Sequence, residues 1–208
     1  MNPPQYIGKS GKIAALLWQQ IPKLRAPDCP VMDRRYLFTG KPGLGKSAIA
    51  EQLGQALTTH ALGVESLNGQ SCSVERVREW QWAGQFVPMF GLRVQIVDEI
   101  DMASAAALAQ MRTYLDKLPL RTVIIGTTNK TIAELPEQLQ SRFKILYFDP
   151  VPMAVIAAWL LERFPKLGAA MAGSIAIQSA GNVRAAETVA ASIADNWVGT
   201  AANVGGEM

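Results

Sequence analysis

Gly40-Lys41-Pro42-Gly43-Leu44-Gly45-Lys46-Ser47 fits the pattern G-x-x-x-x-G-K-[ST] at every fixed position. Before it stands Tyr36-Leu37-Phe38-Thr39, a short apolar run that predicts a buried strand. After it, Ala48 opens a helix over 48–57, with Ile49, Leu53 and Leu57 on one side. Strand, glycine loop and helix make the context in which this pattern binds phosphate. The glycines let successive N–H groups turn inward as a nest, and the helix N-terminus adds partial positive charge. Lys46 is the residue to reach the β- and γ-phosphates, and the Ser47 hydroxyl is a ligand for Mg²⁺. The stretch predicts a nucleoside triphosphate site.

The remaining composition is that of an ordinary globular protein: 208 residues, 49% hydrophobic and 18% charged. That length accommodates one α/β domain and a small appendage. The apolar run over 153–161 is too short to span a bilayer, and the first residues carry no signal-peptide pattern. Cys29 and Cys72 lie far apart without metal-ligand partners nearby, which suits reduced thiols in a cytoplasmic protein. The net charge of +3 is unevenly spread. Residues 1–35 hold six lysines and arginines against Asp28 and Asp33, while 151–208 hold three against four acids.

Strand patterns recur at 64–67, 93–97, 122–126 and 144–148. Helical periodicity occupies 13–21, 73–82 and 104–118, with a proline-bearing loop at Pro22, Pro27 and Pro30. Strands alternating with helices predict a parallel sheet covered on both faces. After Asp149-Pro150 only helices are expected, at 153–163, 166–179 and 183–197. The division that follows is an α/β nucleotide-binding core over 1–150, a three-helix lid over 151–198 and a flexible tail over 199–208.

Val94-Gln95-Ile96-Val97-Asp98-Glu99 is an apolar strand ending in two acids. Beside a phosphate loop, Asp98 suits Mg²⁺, directly or through a water, and Glu99 suits a general base that polarises the attacking water. The next strand runs into Gly126-Thr127-Thr128-Asn129, placing a polar amide next to the metal-binding strand to orient water or γ-phosphate. Arg142, in Ser141-Arg142-Phe143, precedes the last strand and is expected to face a neighbour's nucleotide rather than its own. Arg184, in Gly181-Asn182-Val183-Arg184, sits in a first helical turn where a cation opposes the macrodipole, and reaching the γ-phosphate would explain it. Trp80, Trp82, Phe86 and Phe90 form an aromatic cluster that covers the sheet edge, stacks on bases or docks a partner. His60 has no partner in sequence and receives no catalytic role.

With these motifs the chain resembles AAA+ ATPases, and is most similar among them to clamp-loader subunits, both replication factor C small subunits and bacterial gamma subunits. Residues 40–47 resemble Walker A and 94–99 resemble Walker B, extended as Asp98-Glu99-Ile100-Asp101. Asn129 matches sensor 1, Ser141-Arg142-Phe143 matches the serine-arginine-cysteine finger motif with Phe143 replacing cysteine, and 181–184 match sensor 2 with Asn182 where aspartate is commoner. Tyr6-Ile7-Gly8 resembles the segment packing near adenine. The resemblance covers about 5–197. It departs where clamp loaders add a helical collar, and where the gamma subunits carry a four-cysteine zinc module.

The resemblance implies a Mg²⁺-dependent ATPase with ATP held by 40–48, Tyr6 and Ile7, and metal by Ser47 and Asp98. Catalysis would rest on Lys46, Asp98, Glu99, Asn129, Arg184 and, from an adjoining subunit of a homo- or hetero-oligomer, Arg142. It implies work on DNA in replication, recombination or transposition, with Arg76, Arg78, Arg112 and Lys117 as candidate phosphate contacts. The alternative is a protein-remodelling AAA+ factor, helicase loader or chaperone, whose partner is a polypeptide.

Overall fold

A computed structural model describes residues 6–204, the side chains of Gln138 and 195–204 excepted. Five strands form one parallel sheet in the order β2-β3-β4-β1-β5: β1 (Arg35–Thr39), β2 (Val64–Asn68), β3 (Arg93–Asp98), β4 (Thr122–Thr128) and β5 (Lys144–Tyr147). The central strands β1 and β4 are buried at every position, as a sheet covered on both faces requires. One face carries Leu37, Val97 and Ile124 under α3 (Val74–Ala83) and α4 (Ala105–Asp116), whose Val77, Trp80, Met111, Tyr114 and Leu115 complete that core. On the other face lies α2 (Lys46–Leu57), whose Gly54 faces Val64, Val94 and Ile96 so closely that a side chain there would crowd them.

Residues 13–40 and 46–148 form one compact unit, while 6–12, 41–45 and 149–204 belong to a second. The second is built from α6 (Met153–Arg163), α7 (Ala169–Gln178) and α8 (Val183–Val204). Ile156, Leu160, Ile175, Ala186 and Ala190 fill its centre, the two alanines letting α8 approach closely. A short helix α5 (Glu137–Gln140) precedes β5.

Two sequence expectations need correction. The entry helix does not stop before Pro22: α1 runs Gly8–Arg25 with Pro22 inside it. The proline removes one intrahelical N–H, but Leu24 is buried and the Arg25 guanidinium donates to the Ala56 carbonyl at 2.7 Å, holding the last turn in register. At the other end α8 continues to Val204, so 199–204 are helical; 205–208 of the expected tail lie outside the described residues. Among the described residues no helix is long and apolar enough to cross a membrane.

Candidate functional site

Parallel strands deliver their C-terminal ends to one edge of the sheet, and β1, β3 and β4 bring most of the candidate residues there. β1 leads into 40–47, and α2 begins at Lys46. Register places Val97 opposite Gly126 and Gly126 opposite Leu37, so Asp98, Thr127 and Phe38 share one level. The Lys46 ammonium, almost fully buried, donates to the Gly40 carbonyl at 2.6 Å and to Asn129 Oδ1 at 2.9 Å. Asn129 in turn donates from Nδ2 to Glu99 Oε1 at 3.1 Å. One amide therefore ties the loop lysine to the acid at the end of β3.

Ser47 Oγ donates to Asp98 Oδ1 at 2.6 Å. The same carboxylate oxygen accepts from Thr127 Oγ1, which itself accepts from the Glu99 N–H at 3.2 Å. Glu99 adopts φ 52°, ψ 51°, a left-handed conformation that costs a non-glycine residue on the order of 1–2 kcal/mol. Such strain persists where surroundings over-determine it. Here the Thr127 hydroxyl grips the Glu99 N–H, and Gly69 packs against the Glu99 carbonyl with no space for a Cβ. Just beyond, Asp101 accepts from Thr128 Oγ1 at 2.7 Å and pairs with the Lys130 ammonium at 3.3 Å. Its carboxylate, with 8% exposure, thereby clamps both neighbours of Asn129.

In the second unit, Lys41–Gly45 meets the helical bundle's own residues. Gly43 has φ +78°, and a Cβ there would fall 1.8 Å from Asn182 Oδ1. That oxygen accepts from the Ala185 N–H at 3.0 Å, opening α8. Arg184 follows in the first turn with its side chain exposed, and its N–H faces the Gly43 carbonyl at 3.5 Å. The buried Ser10 hydroxyl donates to the Leu44 carbonyl at 2.7 Å, and the Tyr6 ring lies about as close to Gly45 as a side chain there would tolerate. Ile7 packs against the helical core.

The residue set fits a magnesium nucleotide. Mg²⁺ keeps several waters and takes one or two protein oxygens besides the phosphates, and Ser47 and Asp98 already stand together as such a pair. Glycines with positive φ at 40, 43 and 45 shape the loop for phosphate oxygens.

Not every candidate joins this site. Arg142 precedes the N-terminal end of β5, at the opposite edge of the sheet, and β5 is three strand spacings from β3, about 14 Å. There it pairs with Asp116, Nε to Oδ1 at 2.8 Å and Nη2 to Oδ2 at 3.1 Å. Arg76 is engaged by Glu79 at 2.7 Å and Glu65 at 3.6 Å, whereas Arg78, Arg112 and Lys117 are exposed. The aromatic cluster divides: Trp80 is buried and donates to Glu65 Oε2 at 2.8 Å, while Trp82 stands 65% exposed, edge-on to Phe86. Phe90 stacks on His60, whose Nδ1 accepts from the Leu62 N–H.

Sequence reasoning missed Thr127, Ser10 and the grip of Asp101 on Thr128 and Lys130. Thr127-Thr128 at a strand end was the available signal, but its partners lie 27 to 29 residues away.

Residues 36–151 match the family described as "ATPase family associated with various cellular activities (AAA)". Replication factor C subunit 4 of Encephalitozoon cuniculi is 30% identical over 129 residues, 61% of this chain and 41% of that protein. The fold is similar to RuvB of Thermotoga maritima: one mutant, P216G, has a TM-score of 0.71 at 20% identity, covering 93% of this chain and 66% of the other. PCH-2 of Caenorhabditis elegans is similar at TM-score 0.59 and 15% identity, over 78% of this chain and 48% of the other. The chain spans well under half the length of its curated relative. Since the family match takes in β1 from Tyr36 onward, the whole glycine loop, Asp98, Glu99, Asn129 and Arg142, the chain belongs to the AAA family of ATPases.

Proposed function

We propose that this chain binds and hydrolyses ATP with Mg²⁺ as a clamp-loader-like subunit, acting on DNA in replication, recombination or transposition within an oligomer. The observation that carries the reading is the hydrogen-bonded line from Lys46 through Asn129 to Glu99, beside the Ser47–Asp98 pair. Residues 40–47 hold the triphosphate through backbone N–H groups, and Lys46 exchanges its present oxygen partners for phosphate oxygens. Ser47 and Asp98 would hold Mg²⁺, which would supply positive charge to the phosphates. Glu99 accepts the proton of the attacking water at a carboxylate oxygen, with Asn129 fixing that carboxylate's direction. Arg184, two residues beyond Asn182 and with its backbone N–H facing the Gly43 carbonyl in the same unit, supplies a further cation to the phosphates.

Arg142 cannot serve the same nucleotide from the opposite edge of the sheet, so in this reading it completes a neighbour's site. The similarity to a replication factor C subunit supports work on DNA in replication. The test is ATP turnover per subunit against protein concentration, with and without primed or branched DNA. Turnover that rises with concentration and is stimulated by DNA is expected. Constant turnover per subunit at low and high concentration overturns the oligomeric reading. Stimulation by a polypeptide and not by DNA selects a protein-remodelling factor, helicase loader or chaperone instead.

A further inference from the structure

Asp116 ends α4, a helix whose Met111, Tyr114 and Leu115 are buried beneath the sheet. A carboxylate in the last turn of a helix faces the negative end of the macrodipole, so it is badly placed for the helix itself. Its partner is Arg142. The two carboxylate oxygens take Nε and Nη2 at 2.8 and 3.1 Å, a side-on fork that fixes the guanidinium plane at two points. Arg142 Nη1 also donates to Ser141 Oγ at 3.2 Å. From the sheet side, the buried Arg35 donates to the Leu115 carbonyl at 2.9 Å, anchoring the turn that carries Asp116. Hydrogen bonding from Arg142 holds the Asp116 carboxyl below the usual carboxylate range. Half-exposed ion pairs add little stability, but a two-point grip adds direction.

We propose that Asp116 is the positioning residue for Arg142, holding the guanidinium in the orientation from which it meets a neighbouring subunit's γ-phosphate. The inference rests on the reading that Arg142 acts in trans. Asp116 touches no nucleotide; it acts by restricting an otherwise flexible side chain, so that less freedom is lost when the phosphoryl group is met. Losing the grip then lowers the rate of the assembled enzyme without weakening its hold on ATP.

The test uses the full chain under the conditions of highest turnover, with Arg142→Ala, Asp116→Asn, Asp116→Glu and the double variant Arg142→Ala/Asp116→Asn. Expected are a loss of at least a hundredfold in kcat for Arg142→Ala and of about tenfold for Asp116→Asn. For Asp116→Asn, the KM for ATP and the assembly mass should stay unchanged, and Asp116→Glu should recover most of the rate. The double variant should be no slower than Arg142→Ala alone, since a guide has nothing to guide once the arginine is gone. A kcat for Asp116→Asn within twofold of the parent, or losses that multiply in the double variant, overturns the positioning role while leaving Arg142 as the finger. Unchanged turnover in Arg142→Ala overturns the trans reading, and the role of Asp116 falls with it.

Discussion

Gly69 is the residue through which the position of Glu99 is most sharply testable. It opens the turn after β2, and a Cβ built on it falls 2.0 Å from the Glu99 carbonyl oxygen and 2.9 Å from the carbonyl carbon. The obstacle is backbone, so no rotamer change relieves it. Reaching even the 3.0 Å below which real Cβ contacts essentially never occur requires the Glu99 backbone and the Gly69 turn to separate by about 1 Å. Overpacking of this kind costs roughly 1–3 kcal/mol of stability. A shift of about 1 Å at a catalytic group costs on the order of 10²-fold in rate. Gly69→Ala is therefore expected to lower kcat for ATP about a hundredfold, with the melting point down several degrees. Nucleotide affinity should hold, because Lys46 and Ser47 belong to α2, away from the Gly69 turn. Steady-state turnover, calorimetric titration with an ATP analogue and a thermal melt separate the three. A variant that melts lower yet keeps kcat within threefold of the parent would refute the argument that the Glu99 backbone must stay where Gly69 leaves room for it.

Other expectations come from single contacts. Glu99→Gln keeps the side chain's shape and its bond to Asn129 but removes the proton acceptor, so turnover should fall at least a hundredfold while nucleotide binding is retained, read by turnover and titration side by side. Asp101→Ala removes the clamp on Thr128 and Lys130; a loss of about 1–3 kcal/mol in denaturant unfolding is expected, with kcat reduced as Asn129 loosens. Burial pushes the Cys72 thiol from 9.0 up to about 11. Its folded value thus lies above its unfolded value, so its contribution to stability is complete below pH 9 and is lost as pH rises toward 11. Urea midpoints should fall over that window by more in the parent than in Cys72→Ala, and a thiol reagent at pH 8 should label Cys72 only on unfolding.

Much of the fold was readable because it is written locally. Residues 36–57 carry a strand, a glycine loop and a helix in unbroken order, and the apolar runs at 93–97 and 122–126 leave little choice but buried parallel strands. The switch to helices after Pro150 is likewise a matter of composition. Pro22 misled because the local cost of a proline was outweighed by contacts made elsewhere, the burial of Leu24 and the bond from Arg25 to Ala56, 31 residues on. At the candidate site, the acids and the lysine announce themselves by type and spacing. Thr127 and Ser10 do not, because a hydroxyl gains meaning only from its partner, and theirs are supplied by strand register and chain packing. Arg142 shows the same limit from the other side: its motif marks it, but nothing in the motif discloses Asp116.

The left-handed backbone at Glu99 has a further consequence. A glycine at 99 would relax that backbone at once and give a sturdier chain, yet it would abolish the carboxylate. With Glu99 as the proposed general base, thermal endurance and turnover therefore pull in opposite directions at this one position. A lineage selected only for endurance would drift toward glycine there, and a chain of this fold that has done so is better sought among inert scaffolds than among ATPases.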